Sequence, residues 1–278
     1  MLPASPARLP APPSFKVRSA LLLAAMALVL VLSARLVAGP AGVVLTAGLL
    51  VLGMWITPHA KPERLMRLFR AVRVEAHVMP ELLGEVREMA RKANLPTPPQ
   101  IYVLHNPGLS ALSVGTPKDS AIGLSHRVLY KLTRPQVKAI VAHEMAHIVA
   151  GDITILALSQ VIARLVRTLA FVGILLALVF ALTRGEAISP LALLLVCFAP
   201  LGVTLFQLAL SRDREFDADQ FAAQLTGDPQ SLAAALQHIE TDQHSVWQRL
   251  FWPMGQTKIP TWLRTHPRTQ DRVARLLR

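Results

Sequence analysis

Four long apolar runs restrict what this chain can fold into. They cover residues 20–37, 42–56, 153–182 and 191–210. Because a helix needs about 20 mostly apolar residues to cross the hydrocarbon core of a bilayer, the runs predict membrane-spanning helices. The second run is short and reaches the required length only with the flanking residues 40, 41 and 57. A hydrophobic share of 53% and a mean hydropathy of +0.43 fit a membrane protein better than a soluble domain.

The first two runs lie almost next to each other and predict a helical hairpin. A cleaved signal peptide is the competing interpretation, because small residues at Ala38 and Gly39 end the first run. The second run follows directly, which favours two helices in a bilayer. We expect a disordered, proline-rich tail over residues 1–17 and a transmembrane hairpin over residues 18–58.

The basic charge of the chain lies beside the apolar runs. The chain has 29 Lys and Arg against 17 Asp and Glu, a formal net charge of +12. The sequence shows no basic stripe with interleaved aromatic residues, so nucleic acid is not an expected partner. Residues 61–73 instead predict a basic amphipathic helix on an anionic leaflet, and Arg212 and Arg214 follow the fourth run. The positive-inside rule then places both termini in the cytoplasm.

A small sheet is predicted between the hairpin and the third run. A helix over residues 79–94 ends at a proline-rich segment, and a buried strand follows over residues 101–104. Residues 110–115 and 121–124 then predict a β-hairpin. The third apolar run is longer than one span, which leaves open whether residues 153–167 lie in the bilayer.

The stretch His143-Glu-Met-Ala-His147 carries the strongest functional signal. Residues 136–150 contain no helix breaker, and residues four apart on a helix share a face. His143 and His147 can therefore aim two imidazoles at one point, as a zinc ion requires. Glu144 lies beside them, where it can accept a proton from a water on the metal. Two histidines that only pack on a helix are the plainer alternative, which the apolar helical context disfavours.

Three carboxylates directly after the fourth run supply candidates for a third ligand. Glu215 and Asp219 share a helix face, whereas Asp217 points away from it. A carboxylate completes a two-histidine zinc site that leaves the fourth position for water, and we assign this role to Glu215. Asp219, one turn further on, is expected to accept the free ring N–H of a ligand histidine. A solvated acidic start of a helix is the alternative.

Taken together, these motifs resemble the HtpX-type zinc metallopeptidases of the bacterial inner membrane, which are related to the CAAX prenyl proteases. The resemblance rests on the two segments above, on Gly151-Asp152, and on Thr-His-Pro-Arg-Thr-Gln-Asp-Arg-Val at residues 265–273. It implies one zinc ion per chain and a gluzincin-like catalytic domain in the cytoplasm. It also implies a role in the quality control of membrane proteins.

The resemblance assigns further residues. It implies that Glu215 is the third ligand, that His266 assists the transition state and that Arg272 is the structural companion of His266. HtpX-type proteins usually carry Asn-Ala-Phe-Ala-x-Gly in the strand that lines the substrate groove. The matching stretch here begins with four residues that we expect to bind substrate: Ser110, Ala111, Leu112 and Ser113. Ser110 and Leu112 replace Asn and Phe, a departure that bears on substrate preference and not on the metal chemistry.

The predicted fold class is α+β and mostly helical, with four transmembrane helices and a cytoplasmic catalytic domain that contains a small β-sheet. Residues 59–152 and 211–278 form this domain, and residues 153–210 supply the third and fourth membrane helices. The expected activity is zinc-dependent hydrolysis of peptide bonds. The expected partners are the lipid bilayer and substrates that are misfolded or damaged membrane proteins and unfolded polypeptides.

Two other classes of protein stay open at this point. An intramembrane metalloprotease would place its histidine pair inside a span, whereas Lys131, Arg134 and Lys138 lead into this helix. A non-enzymatic metal-binding scaffold would bind the metal without needing Glu144. Divalent metals other than zinc also fit the same ligands.

Overall fold

The computed structural model of this chain describes residues 13–59, 61–105, 110–184, 189–251 and 268–278. The chain divides into two compact units. The helical unit contains Pro12–His59 and Thr154–Ser211, and the sheet unit contains Ala60–Ile153 and Arg212–Arg278.

The described residues form helices with one small sheet, as the sequence predicts. In chain order the elements are α1 (Pro13–His59), α2 (Pro62–Leu68), β1 (Val72–Arg73), α3 (Pro80–Lys92), β2 (Gln100–Leu104), β3 (Ala111–Thr116), β4 (Asp119–Ser125), α4 (His126–Lys131), α5 (Arg134–Ala150), α6 (Asp152–Arg184), α7 (Pro190–Thr226), α8 (Pro229–Phe251) and α9 (Thr269–Leu276).

The first helix, α1, contains a sharp interruption. Ala38 and Gly39 have non-helical backbone angles, and Gly39 has a φ of 61°, a value that favours glycine. A Cβ atom at Gly42 would lie 2.6 Å from the carbonyl oxygen of Ala34. Residues eight apart in a continuous helix lie about 12 Å apart, so the chain turns back on itself here. The turn separates the two apolar runs for which the sequence predicts a hairpin.

The helical unit packs around a small apolar core. Its buried members come from α1, α6 and α7: Met26, Leu30, Ile162, Ala163, Val166 and Val203. Other large apolar side chains of these helices are exposed, among them Val44, Phe171 and Leu191. Within the described ranges, three helices are long and apolar enough to cross a membrane, namely Val17–Trp55, Asp152–Thr183 and Pro190–Thr226. The sequence predicts four spans, and the difference arises because the first two share α1.

The sheet unit is built on one mixed sheet with the strand order β1-β2-β4-β3. β2 and β4 run parallel, whereas β1 pairs with β2 and β3 pairs with β4 in antiparallel fashion. Side chains alternate between the two faces. One face carries Ile122 and Leu124 and packs in a core with α3 and α5. The opposite face carries Tyr102 and Ala121, which pack against Met66 of α2.

Helix α2 is shorter than the sequence predicts. A single helix is expected over residues 61–73, but α2 ends at Leu68 and the chain continues into β1. Arg70 adopts a left-handed φ of 52°, and the N–H of Ala71 donates to the carbonyl oxygen of Met66 at 3.0 Å. This is the hydrogen-bond pattern of a Schellman helix end. The reason is tertiary, because the pairing of β1 with β2 draws this segment into the sheet.

Helix α5 is the central helix of the sheet unit. The N–H of Thr133 donates to Oε1 of Gln136 at 2.9 Å, which fixes where α5 begins. Nearly every side chain from Gln136 to Ile148 is buried. The helix is therefore enclosed by β3, α3 and α8, and its side chains hold their positions within a packed interior.

Replacement of Ile122 by alanine should destabilise the sheet unit. Ile122 is fully buried in the core that β4 shares with α5, and truncation of a buried isoleucine costs about 2–5 kcal/mol. We expect a lower midpoint of thermal unfolding for Ile122→Ala in detergent, measured by differential scanning calorimetry. Val78→Ala is the matched control, because Val78 is exposed, and should leave the midpoint unchanged. Equal midpoints for Ile122→Ala and the wild type would contradict this core.

Candidate metal centre

Two histidines of α5 face each other inside the sheet unit. Nε2 of His143 lies 3.2 Å from Nε2 of His147. Both side chains are buried, and the neighbouring Ala142 and Ala146 are too small to fill the space beside them. The spacing of four residues on a helix produces this geometry, because such residues share a face. Two ring nitrogens therefore point at one small space in the protein interior.

Glu215 reaches the same place from α7. This helix continues past the apolar run as far as Thr226, so the acidic segment is helical, as the sequence predicts. Oε2 of Glu215 lies 3.6 Å from Nε2 of His143, and Oε1 lies 3.9 Å from Nε2 of His147. In the described part of the chain, these three side chains form the one group of its kind that could hold a metal ion. Their ligand atoms all lie within 4.8 Å of one another.

Each histidine is held at its other ring nitrogen by a buried carboxylate. Nδ1 of His147 lies 2.8 Å from Oδ2 of Asp152, and Nδ1 of His143 lies 3.0 Å from Oδ1 of Asp219. A carboxylate accepts hydrogen bonds, so it favours the tautomer in which Nδ1 carries the proton. Both Nε2 atoms then present lone pairs to each other and cannot form a hydrogen bond. A bound cation resolves this conflict.

The spacing of the ligand atoms agrees with a divalent metal such as zinc. Zinc–nitrogen bonds of about 2.0–2.1 Å at tetrahedral angles place two ligand atoms about 3.3 Å apart. The two Nε2 atoms lie 3.2 Å apart, and the two oxygens of Glu215 approach them separately, Oε2 at 3.6 Å from His143 and Oε1 at 3.9 Å from His147. Two neutral imidazoles and a carboxylate are also donors that zinc accepts. The residues present therefore fit such an ion in donor type, and one ligand atom from each lies within 4.8 Å of the others.

Arg272 of α9 joins two acidic residues of α7. Its Nε and Nη2 atoms donate to Oδ2 and Oδ1 of Asp219 at 2.7 and 2.6 Å. Its Nη1 atom lies 3.1 Å from Oε2 of Glu215. Burial alone would lower the pKa of Arg272, but the hydrogen bonds to Asp219 and the charges of both acids raise it above its ordinary value. Arg272 therefore stays charged and compensates the acidic side of the centre.

No role is predicted from the sequence for Asp152 or Arg214, although both belong to the centre. Arg214 forms an ion pair with Asp152, and both side chains are almost fully buried. Because Asp152 also contacts His147, each metal-facing histidine is backed by a pair of a carboxylate and an arginine. The sequence feature that could have indicated a role for Asp152 is the pair Gly151-Asp152 directly after the histidine helix. Gly151 ends α5 with a φ of 70°, and Asp152 follows it into contact with His147.

The four residues predicted to bind substrate lie along the edge strand β3, which packs beside α5. Ala111, Leu112 and Ser113 belong to the strand. Ser110 precedes it, and its N–H donates to Oγ of Ser125 at 3.1 Å. The strand register places Ala111 and Ser113 on the sheet face that packs against α5, and Leu112 on the α2 face. The predicted substrate strand is thus next to the histidine helix.

Of the two residues predicted to take part in the reaction, Glu144 and His266, the structure describes only Glu144. Glu144 is buried on α5, one residue after His143. His266 lies outside the described residues.

Asp152→Asn should weaken metal binding. The amide keeps the size of the carboxylate but loses the negative charge that holds the Nδ1 proton of His147. Loss of such a carboxylate behind a ligand histidine lowers metal affinity by about 10–100-fold. The affinity can be measured by competition with a chromogenic chelator. Asp119→Asn, at an exposed position of β4, is the control and should bind metal as the wild type does. Wild-type affinity in Asp152→Asn would contradict the orienting contact.

Known proteins that are similar to this chain are peptidases, which agrees with a metal-binding site of this geometry. Residues 77–278 match peptidase family M48. The protease HtpX homolog of Methylibium petroleiphilum is 32% identical over 232 residues, which cover 76% of this chain and 79% of that protein. The protease HtpX homolog of Burkholderia lata is 30% identical over 282 aligned positions, which cover 94% of this chain and 95% of that protein.

Among solved structures, the chain is similar to the crystal structure of S. mikatae Ste24p, with a TM-score of 0.49 and 18% identity. The similarity covers 95% of this chain, which spans 65% of the Ste24p chain. The family match includes the histidine helix, Glu215, Asp219 and Arg272. The chain therefore belongs to peptidase family M48, a family of metallopeptidases.

Proposed function

We propose that this chain is a zinc-dependent endopeptidase of the bacterial inner membrane. The observation that carries the proposal is the buried group of His143, His147 and Glu215, whose ligand atoms lie within 4.8 Å of one another. Glu144 lies buried on the same helix as the two histidines. His143, His147 and Glu215 would hold the zinc ion, which would supply a Lewis acid for activating a water and polarising the scissile carbonyl.

The side chains of this chain perform the proton transfers and hold the geometry. Glu144 accepts the proton of the attacking water and delivers it to the nitrogen of the leaving amine. His266 donates a hydrogen bond to the oxygen on which negative charge develops in the transition state. Asp152 and Asp219 keep the two histidines in their orientation, so the centre does not need to reorganise during the reaction.

Strand β3 holds the substrate peptide in an extended form. It lies at the edge of the sheet with β4 on one side, so its other side can pair with an added strand. Ser110, Ala111, Leu112 and Ser113 supply the contact surface. A folded domain cannot offer an extended segment, which makes unfolded polypeptides and misfolded or damaged membrane proteins the substrate class. We place this activity in the quality control of membrane proteins.

Four membrane crossings fit the helical unit. The turn at Ala38 and Gly39 divides α1 into two crossings, and α6 and α7 supply one each. An even number of crossings returns the chain to the side where it began. Arg64 follows the first pair of crossings and Arg212 follows the last, which supports a cytoplasmic location of both termini and of the metal centre.

An intramembrane metalloprotease is less consistent with the site. Such an enzyme would carry its histidine pair within a membrane span, but α5 belongs to the sheet unit and is not among the three candidate membrane helices of the described residues. A metal-binding scaffold without activity would have no use for a buried Glu144 next to His143. Membership in a metallopeptidase family also opposes the scaffold.

Glu144→Gln should abolish cleavage and keep the metal. Removal of a general base lowers kcat by about 100- to 10,000-fold, whereas the three ligands are unchanged. The assay compares purified protein in detergent on an unfolded reporter protein, with the zinc content measured by mass spectrometry. Glu88→Gln on the exposed side of α3 is the matched control and should cleave at the wild-type rate. Equal rates for Glu144→Gln and the wild type would show that the base is misassigned.

Reporter fusions should place the turn of α1 and the C-terminus on opposite sides of the membrane. Alkaline phosphatase needs disulfides that form in the periplasm, so it should be active when fused after Gly39 and inactive when fused after Arg278. Green fluorescent protein at the same two positions should give the reverse result. Active phosphatase at Arg278 would contradict the cytoplasmic location of the metal centre.

A further inference from the structure

The segment that follows α1 exposes large apolar side chains. We define the basic corner as residues 61–73, which comprise α2, its C-terminal turn and β1. Leu68, Phe69 and Val72 of this segment are 78%, 53% and 58% exposed. Leu68 and Phe69 are neighbours and form an apolar patch that water solvates poorly, whereas the register of β1 places Val72 beside Val103 on the other face of the sheet.

The patch remains after α2 has completed its packing on the sheet. Pro62 and Met66 are buried, and Met66 packs with Tyr102 and Ala121. The inner side of α2 is therefore buried in the sheet unit. Leu68 and Phe69, at the C-terminal end of the helix, stay exposed. A partner outside the sheet unit is needed to cover them.

Exposed cations surround the apolar patch. They are Lys61, Arg64, Arg67, Arg70 and Arg73. The segment contains one acidic residue, Glu63, so positive charge dominates. A surface that combines protruding apolar side chains with clustered Lys and Arg matches an anionic lipid leaflet, in which acyl chains lie beneath phosphate groups.

Arg70 occupies a position that local structure alone would give to glycine. Its φ is 52°, and its N–H donates to the carbonyl oxygen of Arg67 at 2.9 Å to close the helix end. Glycine adopts this conformation without the steric cost of a Cβ atom. The helix end itself therefore does not require a cation at this position.

We propose that the basic corner docks onto the anionic lipid surface of the membrane and thereby holds the substrate strand β3 at the level of the lipid headgroups. One residue separates the corner from α1, which ends at His59, so the chain delivers this surface directly after a membrane helix. The docking rests on the charge and exposure of the corner alone. The consequence for β3 rests on the peptidase function proposed above.

The coupling to β3 follows from direct packing. Met66 belongs to the same cluster as Leu112 and Val114 of β3. The ring of Pro62 also approaches the end of this strand, because a Cβ atom at Gly115 would lie 2.7 Å from Cγ of Pro62. A docked corner therefore sets the position of β3 relative to the leaflet. The favoured substrates are then polypeptide segments that emerge from the bilayer at the headgroups.

Lipid contact is tested by fluorescence quenching on the full-length protein in nanodiscs. Leu68→Cys is prepared in a Cys197→Ser background, which removes the single native cysteine, and carries a nitrobenzoxadiazole label. The discs contain phosphatidylglycerol and a nitroxide-labelled lipid as quencher. Glu88→Cys is the matched control, because α3 packs on the sheet face opposite to α2. We expect strong quenching at position 68, little at position 88, and weaker quenching at position 68 when all lipids are zwitterionic.

The coupling is tested with two substrates that carry the same cleavable segment. One substrate bears the segment directly after a membrane helix in the same disc, and the other is a soluble unfolded polypeptide. The double variant Leu68→Ser, Phe69→Ser should lower the ratio of kcat/KM for the tethered over the soluble substrate by about tenfold or more. The reason is that a shared surface raises the effective concentration of the tethered segment. Cleavage of the soluble substrate should be unchanged.

Each outcome decides one part of the proposal. Equal quenching at positions 68 and 88 overturns the docking, and strong quenching at 68 with an unchanged ratio overturns the coupling. If the double serine variant loses soluble cleavage, Arg64→Gln with Arg67→Gln replaces it, because this variant keeps the apolar packing and must lower the same ratio. A wild type that cleaves neither substrate removes the peptidase function and the coupling, whereas the docking is still decided by the quenching.

Discussion

The contacts between each histidine Nδ1 atom and a buried carboxylate are the interactions on which the rest of the centre depends. They select the tautomer that leaves both Nε2 atoms free to bind a metal. A carboxylate is costly to bury unless a cation and hydrogen bonds compensate it. Arg214 compensates Asp152, and Arg272 compensates Asp219. The two arginines are therefore as necessary to the geometry as the carboxylates that touch the histidines.

This requirement explains why the sheet unit is assembled from distant parts of the chain. The histidines lie on α5, Asp152 begins α6, Asp219 lies on α7 and Arg272 lies on α9. Each part supplies a charge that the others must neutralise, so none can be buried alone. The centre forms only when the segments before and after the two long apolar helices have packed together. A metal ion bound here would stabilise the unit as a whole, because the unfolded chain does not offer this arrangement.

Local sequence patterns were sufficient to predict which residues of the centre share a helix face. They were insufficient to predict the ion pairs that join one element to another. The spacing of His143 and His147, and of Glu215 and Asp219, follows from helix periodicity and can be read from the sequence. The pairing of Asp152 with a buried arginine depends on how α6 and α7 meet in the sheet unit, which no local pattern encodes. The same holds for β1, whose two residues become a strand only because β2 lies beside them. The turn within α1 lies between the two predicted spans, where Gly39 permits a positive φ, and the transmembrane hairpin itself stays a prediction.

The shortened α2 changes how the membrane can act on the site. A long amphipathic helix lying on a leaflet would place its apolar side in the lipid and leave the sheet free to move beneath it. In the structure, the inner side of α2, with Met66, is buried against the sheet and β3. Only the C-terminal end of the helix carries exposed apolar side chains. A contact made by that end is transmitted through packed side chains, which deform little. Under the proposed docking, the position of β3 would depend on the membrane surface as well as on the protein fold.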